Sequence, residues 1–328
     1  MNLLRAMPCP GSGRITLALL AVVPAVMAYP WRSPRDYWLL AIAAAVVIVL
    51  FGWWRGLYFT TILRRRAAII GQGSRFKSES RSPATATALL RVGASSNESD
   101  ILPLPLIAGY LDRYGIRADK IRITSHDDRS DSSRREVWIT LTISAVDNLG
   151  ALRARSPHIP LHETAEVAAR RLADHLREIG WEAGTVGPDD VPRLLPPNVR
   201  ETWRGVKCET ADYVAAYRIR VDDTLAETLD GIRNHPARET CTALEIAGEP
   251  GRPTVAAACA FRTEMPPAAG APLDGLSPQF GNHGPALSAL DPLSTQRLDG
   301  HTDALADRLA RLRWPTLAAG AHRSPVRT

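Results

Sequence analysis

Two uncharged, strongly apolar runs open the chain. The first, Ile15 to Tyr29, is broken only by Pro24. The second runs from Tyr37 to Trp54, and a short polar turn, Pro30 to Asp36, separates the two. At about 1.5 Å per residue the second run reaches roughly 27–30 Å, the thickness of a bilayer's hydrocarbon core. The pattern predicts a two-helix transmembrane hairpin with helices over 15–31 and 37–57. Each backbone polar group would be satisfied within its own helix, with a kink at Pro24. Trp31 and Trp38 flank the turn, while Trp53, Trp54 and Arg55 close the second run, as interfacial anchors would. The triple arginine Arg64, Arg65, Arg66 follows on a short amphipathic stretch. The turn carries two Arg and one Asp, the second exit four Arg and no acid. The positive-inside rule then places both ends of the hairpin in the cytoplasm, with 1–14 as a short cytoplasmic N-terminus of a multi-pass inner-membrane protein. A competing reading takes Ile15–Ala28 as the apolar core of a cleavable leader behind Arg5 and Arg14, with Val26-Met27-Ala28 as its cleavage site.

Past the apolar runs, 58–84 reads as a basic exit and a linker, with Gly71 to Ala84 rich in Ser, Gly and charge. The apolar spacing then alternates between strand and helix periods. Thr87–Val92 reads as a strand, and Leu104, Ile107, Ala108 and Leu111 as a helical stripe stopped at Gly115. Lys120–Ser125 and Val137–Val146 alternate as strands around the polar loop His126–Glu136. A helix over His162–Ile179 sets Ala168, Leu172, Leu176 and Ile179 on one face and Arg170, Arg171, Asp174 and Arg177 on the other. Gly180 stops it, and Trp181 begins a short strand. This β-α-β-β-α-β order is the split-βαβ arrangement.

After a join containing Pro188, Pro192, Pro196 and Pro197, the order partly recurs. Strands fall over Tyr213–Val221, Glu239–Ala247 and Thr254–Arg262, with helices over Thr224–Asn234 and within Pro285–Leu298. The expected architecture is a mixed α/β (α+β) cytoplasmic domain over 85–300. It admits two βαββα halves, 85–187 and 198–300, without residue-level similarity between them. In the tail, 301–328, Leu305, Leu309 and Leu312 are spaced for one helical face that Pro315 ends. That helix docks on its own domain or on a partner.

Charge changes the picture once it is located. The whole chain of 328 residues has a formal net charge of +6 and a pI near 9.4, which invites a nucleic-acid reading. Residues 1–84, however, hold eleven Lys/Arg against two acids, or +9, and the remainder is −3. The positive excess belongs to the apolar segment and its exit, so no nucleic-acid partner is expected. Membrane lipid is.

Candidate chemistry is sparse. The chain has no Gly-rich phosphate loop, no dinucleotide fingerprint, no nucleophile elbow and no His-Glu-x-x-His metal helix. Cys9, Cys208, Cys241 and Cys259 lack metal-ligand spacing, although Cys241 and Cys259 fall on predicted neighbouring strands, where a bridge is geometrically possible. His158 and His162 are four apart with Pro160 between them and no third ligand close in sequence. His175 borders the apolar stripe of the long helix. The acidic pairs Asp127-Asp128, Asp189-Asp190 and Asp222-Asp223 could hold a divalent metal on a diphosphate, but lie where solvated turns and helix caps occur. Gly281-Asn282-His283-Gly284 and Asp299-Gly300-His301-Thr302-Asp303 each pair a glycine turn with a histidine, and neither has a recognisable nucleophile beside it. No catalytic, cofactor-binding or metal-binding residue is assigned, and the side chains expected to meet lipid or a partner are the four tryptophans and Arg55, with Arg64–Arg66. A membrane-anchored transferase or hydrolase, using Asp222 and Asp223 or His283 and His301, is the alternative.

Several stretches carry a family likeness. Phe51 to Arg66, Tyr110-Leu-Asp-Arg-Tyr-Gly-Ile-Arg-Ala-Asp119, Ala173-Asp-His-Leu-Arg-Glu-Ile-Gly-Trp-Glu182, Glu201-Thr-Trp-Arg-Gly205, Thr254 to Arg262 and the turn from Gly281 resemble the EccE subunit of actinobacterial type VII (ESX) secretion systems. The likeness is nearest to the EccE of the system associated with mycobacterial iron and zinc acquisition. It implies a structural, non-catalytic subunit of an inner-membrane translocation complex, beside EccB, the ATPase EccC and EccD. It carries over no active-site residue, and it likens the cytoplasmic domain to glycosyltransferase-type folds.

Overall fold

A computed structural model describes residues 12–27, 29, 34–51, 53–54, 57–71, 84–96, 101–129, 134–156, 158–196, 198–249, 251–303 and 306–314. The chain divides into two units, Met1–Gly73 and Ser74–Thr328.

The first unit holds helices α1 (Ser12–Met27) and α2 (Pro34–Phe51), a two-residue ladder of strands β1 (Trp53–Trp54) and β2 (Leu57–Tyr58), and helix α3 (Phe59–Gly71). Among the described residues, no helix is long and apolar enough to cross a membrane. The expected transmembrane hairpin is corrected accordingly, and the reason lies in where the helices begin and stop. α1 has 16 residues, of which Ser12, Gly13 and Arg14 form a polar first turn. α2 has 18, but opens on Pro34, Arg35 and Asp36. Its apolar portion, Tyr37–Phe51, is about 22 Å long against a hydrocarbon core of about 30 Å. The chain beyond Phe51 does not lengthen it, because Trp53 and Trp54 pair antiparallel with Tyr58 and Leu57. A helix over 37–57 is therefore replaced by helix, ladder and a second helix. α1 and α2 bury small residues, Ala18, Ala25 and Ala43, together with Leu50. Their large apolar side chains point outward, Leu20, Val26, Trp38 and Ile48 among them.

The second unit runs β3 (Thr85–Ser95), α4 (Leu104–Ala108), β4 (Asp112–Arg113), β5 (Ile116–Asp128), β6 (Arg134–Ser144), α5 (Leu149–Arg155), α6 (Leu161–Glu178) and β7 (Trp181–Thr185). It continues with β8 (Val199–Glu201), β9 (Val206–Cys208), β10 (Tyr213–Ile219), α7 (Leu225–Asn234), β11 (Glu239–Glu249), β12 (Arg252–Thr263), β13 (Leu276–Pro278), α8 (His283–Leu290), β14 (Thr302–Asp303) and α9 (Ala306–Arg311). The strands form one antiparallel sheet in the order β7-β3-β6-β5-β11-β12-β10-β9-β8, with β13 also on β10, β14 on β12 and β4 on β5. The two stretches of sequence meet at its centre, where β5 pairs β11 with Arg122 opposite Glu245.

Both faces of the sheet are covered. On one, Ile121, Ile123, Ile139, Leu141, Leu244 and Ile246 pack under α4, α6 and α7, whose buried residues include Ile107, Leu172, Leu176 and Ile232. α6 forms there because Leu161, Ala165, Ala169, Leu172 and Leu176 recur at helical spacing, with charged residues on the opposite side. On the other face, Ala243, Cys241, Ala256 and Ala260 pack under Leu287 and Leu290 of α8, with Leu194 and Leu298. The small side chains of this face let α8 and its flanking loops approach closely.

Candidate functional site

The second face carries the most concentrated chemistry of the molecule, a buried charge centre where β5 meets β11. Lys120 and Arg122 lie two apart on β5, so both point to this face, and Glu245 on β11 faces Arg122 across the ladder. All three side chains are buried. Arg122 donates to Glu245 Oε2 from Nη2 at 2.6 Å and from Nε at 3.0 Å. The remaining Nη1 donates to Asp291 O at 2.8 Å, and Nη2 also reaches Gln296 O. Lys120 Nζ lies 3.6 Å from Glu245 Oε2 and donates to Gln296 O as well. The other carboxylate oxygen accepts from Leu298 N at 3.1 Å and pairs with His301 Nε2 at 3.0 Å.

This bonding sets the charge states. Burial alone would raise the Glu245 pKa, but the His301 hydrogen bond and the charges of Arg122 and Lys120 outweigh it and hold the carboxyl at about 2. Burial, helped by the neighbouring Arg122, lowers Lys120 to about 8 against the pull of Glu245. Glu245 is thus an ionised carboxylate with both oxygens engaged. It has no proton to give, and its lone pairs are already directed at fixed partners. The centre ties the loop 291–301 to the sheet. Its chemistry is that of a lock.

The sequence-derived candidates are placed separately. His283, buried at the start of α8, accepts from Ala216 N at 3.1 Å through Nδ1, which fixes its tautomer. Its neighbour Gly284 donates its backbone N–H to Glu201 at 3.2 Å. His301 reaches Thr254 Oγ1 at 3.0 Å through Nδ1 and Glu245 through Nε2, so both glycine-histidine turns hold structure in place. His158 precedes α6 and His162 lies inside it, so the two do not share a helical face. Asp222 accepts from the backbone and hydroxyl of Thr224 and pairs with Arg220 at 2.5 Å. The Thr224 hydroxyl is the main cause of its lowered pKa. Asp190 accepts from Gly187 N at 2.9 Å in a turn. Asp127, half-buried on β5, lies 3.7 Å from Arg135, and its partial burial raises its pKa. Among the described residues no three His, Cys, Asp or Glu side chains gather as a metal site would require.

Cys241 and Cys259 do sit on neighbouring strands, but Cys241 is opposite Ala260 and Cys259 opposite Thr242. The pleat therefore sends their side chains to opposite faces, each into a different apolar cluster, and no bridge is possible. Both are free, as is Cys208.

Of the residues expected at a membrane or partner surface, Trp38 is exposed on α2. Trp53 and Trp54 form β1, while Trp31 and Arg55 lie outside the described residues. Arg64 and Arg66 are exposed on α3, with Arg65 between them half-buried. The buried charge centre itself escaped the sequence reading, since Lys120-Ile-Arg122-Ile-Thr124 alternates like a half-solvated strand. The available signal was Glu245, an acid inside an apolar strand.

Residues 132–219 match the EccE family, described as "Putative type VII ESX secretion system translocon, EccE". Over 323 residues, 97% of this chain and 96% of the relative, the chain is 61% identical to the ESX-3 secretion system protein EccE3 of Mycobacterium tuberculosis strain CDC 1551. It is 60% identical over the same share to the protein of that name from strain H37Rv. With EccE3 of Mycolicibacterium smegmatis it shares 49% over 289 residues, 88% of this chain and 90% of the relative. Likeness of this depth over nearly the full length of each chain means that this chain belongs to the EccE family.

Proposed function

We propose that the chain is a non-catalytic structural subunit of a type VII (ESX) protein secretion complex, of the ESX-3 kind. The observation that carries this reading is the likeness to EccE3 over 97% of the chain, in proteins named as secretion system components. Physical support comes from the second unit, where the buried Lys120, Arg122 and Glu245 are engaged with one another and with backbone groups. Its partners are other subunits of the complex, and EccB, the ATPase EccC and EccD are the ones proposed. Membrane association belongs to the same reading. The outward apolar side chains of α1 and α2 need a cover of lipid or protein. The exposed Arg64 and Arg66 of α3 suit anionic lipid or an acidic neighbour.

The test is affinity purification of the tagged full chain from native membranes in mild detergent, with mass spectrometry of what accompanies it. Co-purification with the other ESX subunits is expected. A chain that purifies alone overturns the proposal.

A further inference from the structure

Strands β4 and β5 are joined by a two-residue turn, Tyr114-Gly115, because Arg113 pairs with Ile116 on either side of it. Both turn residues have positive φ, 57° at Tyr114 and 71° at Gly115, the backbone of a primed hairpin turn. Glycine adopts that conformation freely, whereas a bulky aromatic side chain does so against a steric penalty. The tyrosine is also 55% exposed, so burial of its ring does not explain its presence. It is held from two sides. Arg171 of α6 places its guanidinium carbon 4.5 Å from the Tyr114 ring centroid, and Arg113 does so at 5.3 Å. Beneath them the buried Tyr110 donates its hydroxyl to Arg171 O at 3.0 Å and lies edge-on to Tyr114, which fixes the turn against the helix.

Neither guanidinium has a carboxylate within ion-pair distance among the described residues, in contrast to Arg117 with Glu249 and Arg177 with Asp174. Glu178 is near enough to act on Tyr110, yet it makes no ion pair with Arg113 or Arg171. Two like charges gathered on one exposed ring repel each other, and an anion between them relieves that repulsion. One helical turn before Arg171, and on the same side of α6, Val167 is 42% exposed and adds an apolar contact. Rigid tyrosine and arginine, pre-placed at little entropic cost, are the residue types that dominate the energetics of protein interfaces.

We propose that Tyr114, Arg113 and Arg171, with Val167 beside them, form a docking surface for an acidic segment of another protein subunit. The proposal rests on the reading of the chain as a secretion-complex subunit and names the surface through which one partner is held.

The experiment uses the tagged full chain in native membranes with a photo-crosslinking amino acid at Val167. An adduct with a second protein is expected, mapping to a stretch rich in Asp and Glu. The double variant Arg113→Glu with Arg171→Glu lowers its yield about tenfold, and Arg113→Lys with Arg171→Lys retains it. Thermal melting of each variant checks folding, and Arg113→Gln with Arg171→Gln replaces the charge reversal if the latter melts early. An unchanged adduct in the charge-reversed or Gln variant, an adduct with lipid alone, or no adduct overturns the surface. Co-purification of the unsubstituted chain reports separately on the reading beneath it. Retained subunits with an unaffected adduct defeat only the surface, whereas an unsubstituted chain that purifies alone defeats both.

Discussion

The indole Nε1 of Trp314 donates to Ser125 Oγ at 2.9 Å, joining positions 189 apart in the chain inside the core. Trp314 is 2% exposed, and its carbonyl accepts from Leu102 N at 2.9 Å. With Leu309 of α9 in the same apolar cluster, α9 and the residues just after it are part of the core beneath the sheet. Trp314→Ala is therefore expected to cost roughly 3–5 kcal/mol of stability. Trp314→Phe, which leaves the Ser125 hydroxyl without this donor, should cost about 1–3 kcal/mol. Chemical denaturation of the full chain measures both, and a midpoint unmoved by Trp314→Ala would contradict the buried placement.

Glu245 makes a second prediction through its charge. Its folded pKa of about 2 lies below the 4.5 of an unperturbed Glu, so its stabilising contribution is present above pH 4.5 and is lost as pH falls toward 2. The acid limb of a stability-versus-pH curve is expected to flatten in Glu245→Gln. Glu245→Ala, which strands Arg122 and Lys120 as buried cations, should cost about 3–5 kcal/mol at neutral pH. Urea midpoints between pH 3 and 7 decide the matter, and parallel acid limbs in wild type and Glu245→Gln would refute it.

Lys120 predicts the opposite end. Its folded pKa of about 8 is below the ordinary 10.5, so between these values the unfolded chain binds more protons and stability rises with pH. Lys120→Met should remove that rise, and at pH 7 should be neutral or stabilising by on the order of 1 kcal/mol, since a buried charge is replaced by an apolar chain of similar length. Denaturation midpoints at pH 7.5 and 10 in the two proteins provide the comparison.

The alternation that betrays a strand says which side chains share a face, not whether that face is covered. Tyr213–Val221 and Thr254–Arg262 were readable as strands for that reason, and they are β10 and most of β12. The same alternation marked Lys120–Ser125 as a strand and left open what covers its polar face. In the fold, α8 and the loop 291–301, over 150 residues away in sequence, cover it and turn Lys120 and Arg122 inward. Spacing likewise counts the apolar residues of 37–54 without showing that the helix stops at Phe51 and that Trp53 and Trp54 pair with Leu57 and Tyr58. Trp314, one residue before Pro315, carried no periodic signal.

The three described thiols should be inert in the native state. Burial pushes Cys241 up to about 12 and raises Cys259 well above the ordinary thiol range, while Cys208 is raised more modestly by burial. Because Cys241 and Cys259 point to opposite faces, oxidation should not join them. Alkylation followed by peptide mass spectrometry is expected to modify all three only after unfolding. A Cys241–Cys259 cross-linked peptide would overturn the strand register.

Gly300 connects backbone conformation to the charge centre. Its φ of +87° is one that L side chains adopt only with strain, and an added Cβ would lie 2.5 Å from Arg218 Cδ. Gly300→Ala therefore displaces the exposed end of Arg218 and strains the backbone of the turn, and the next residue is His301, which hydrogen-bonds Glu245 at 3.0 Å. A loss of about 1–3 kcal/mol is expected from strain and the displaced contact together. The distinguishing measurement is a double-mutant cycle with Glu245→Gln. If the turn positions His301 against the carboxylate, part of the Gly300→Ala cost vanishes once the carboxylate is gone, giving a coupling of at least about 0.5 kcal/mol. Strict additivity would mean that the glycine serves only the backbone, and that His301 finds Glu245 without it.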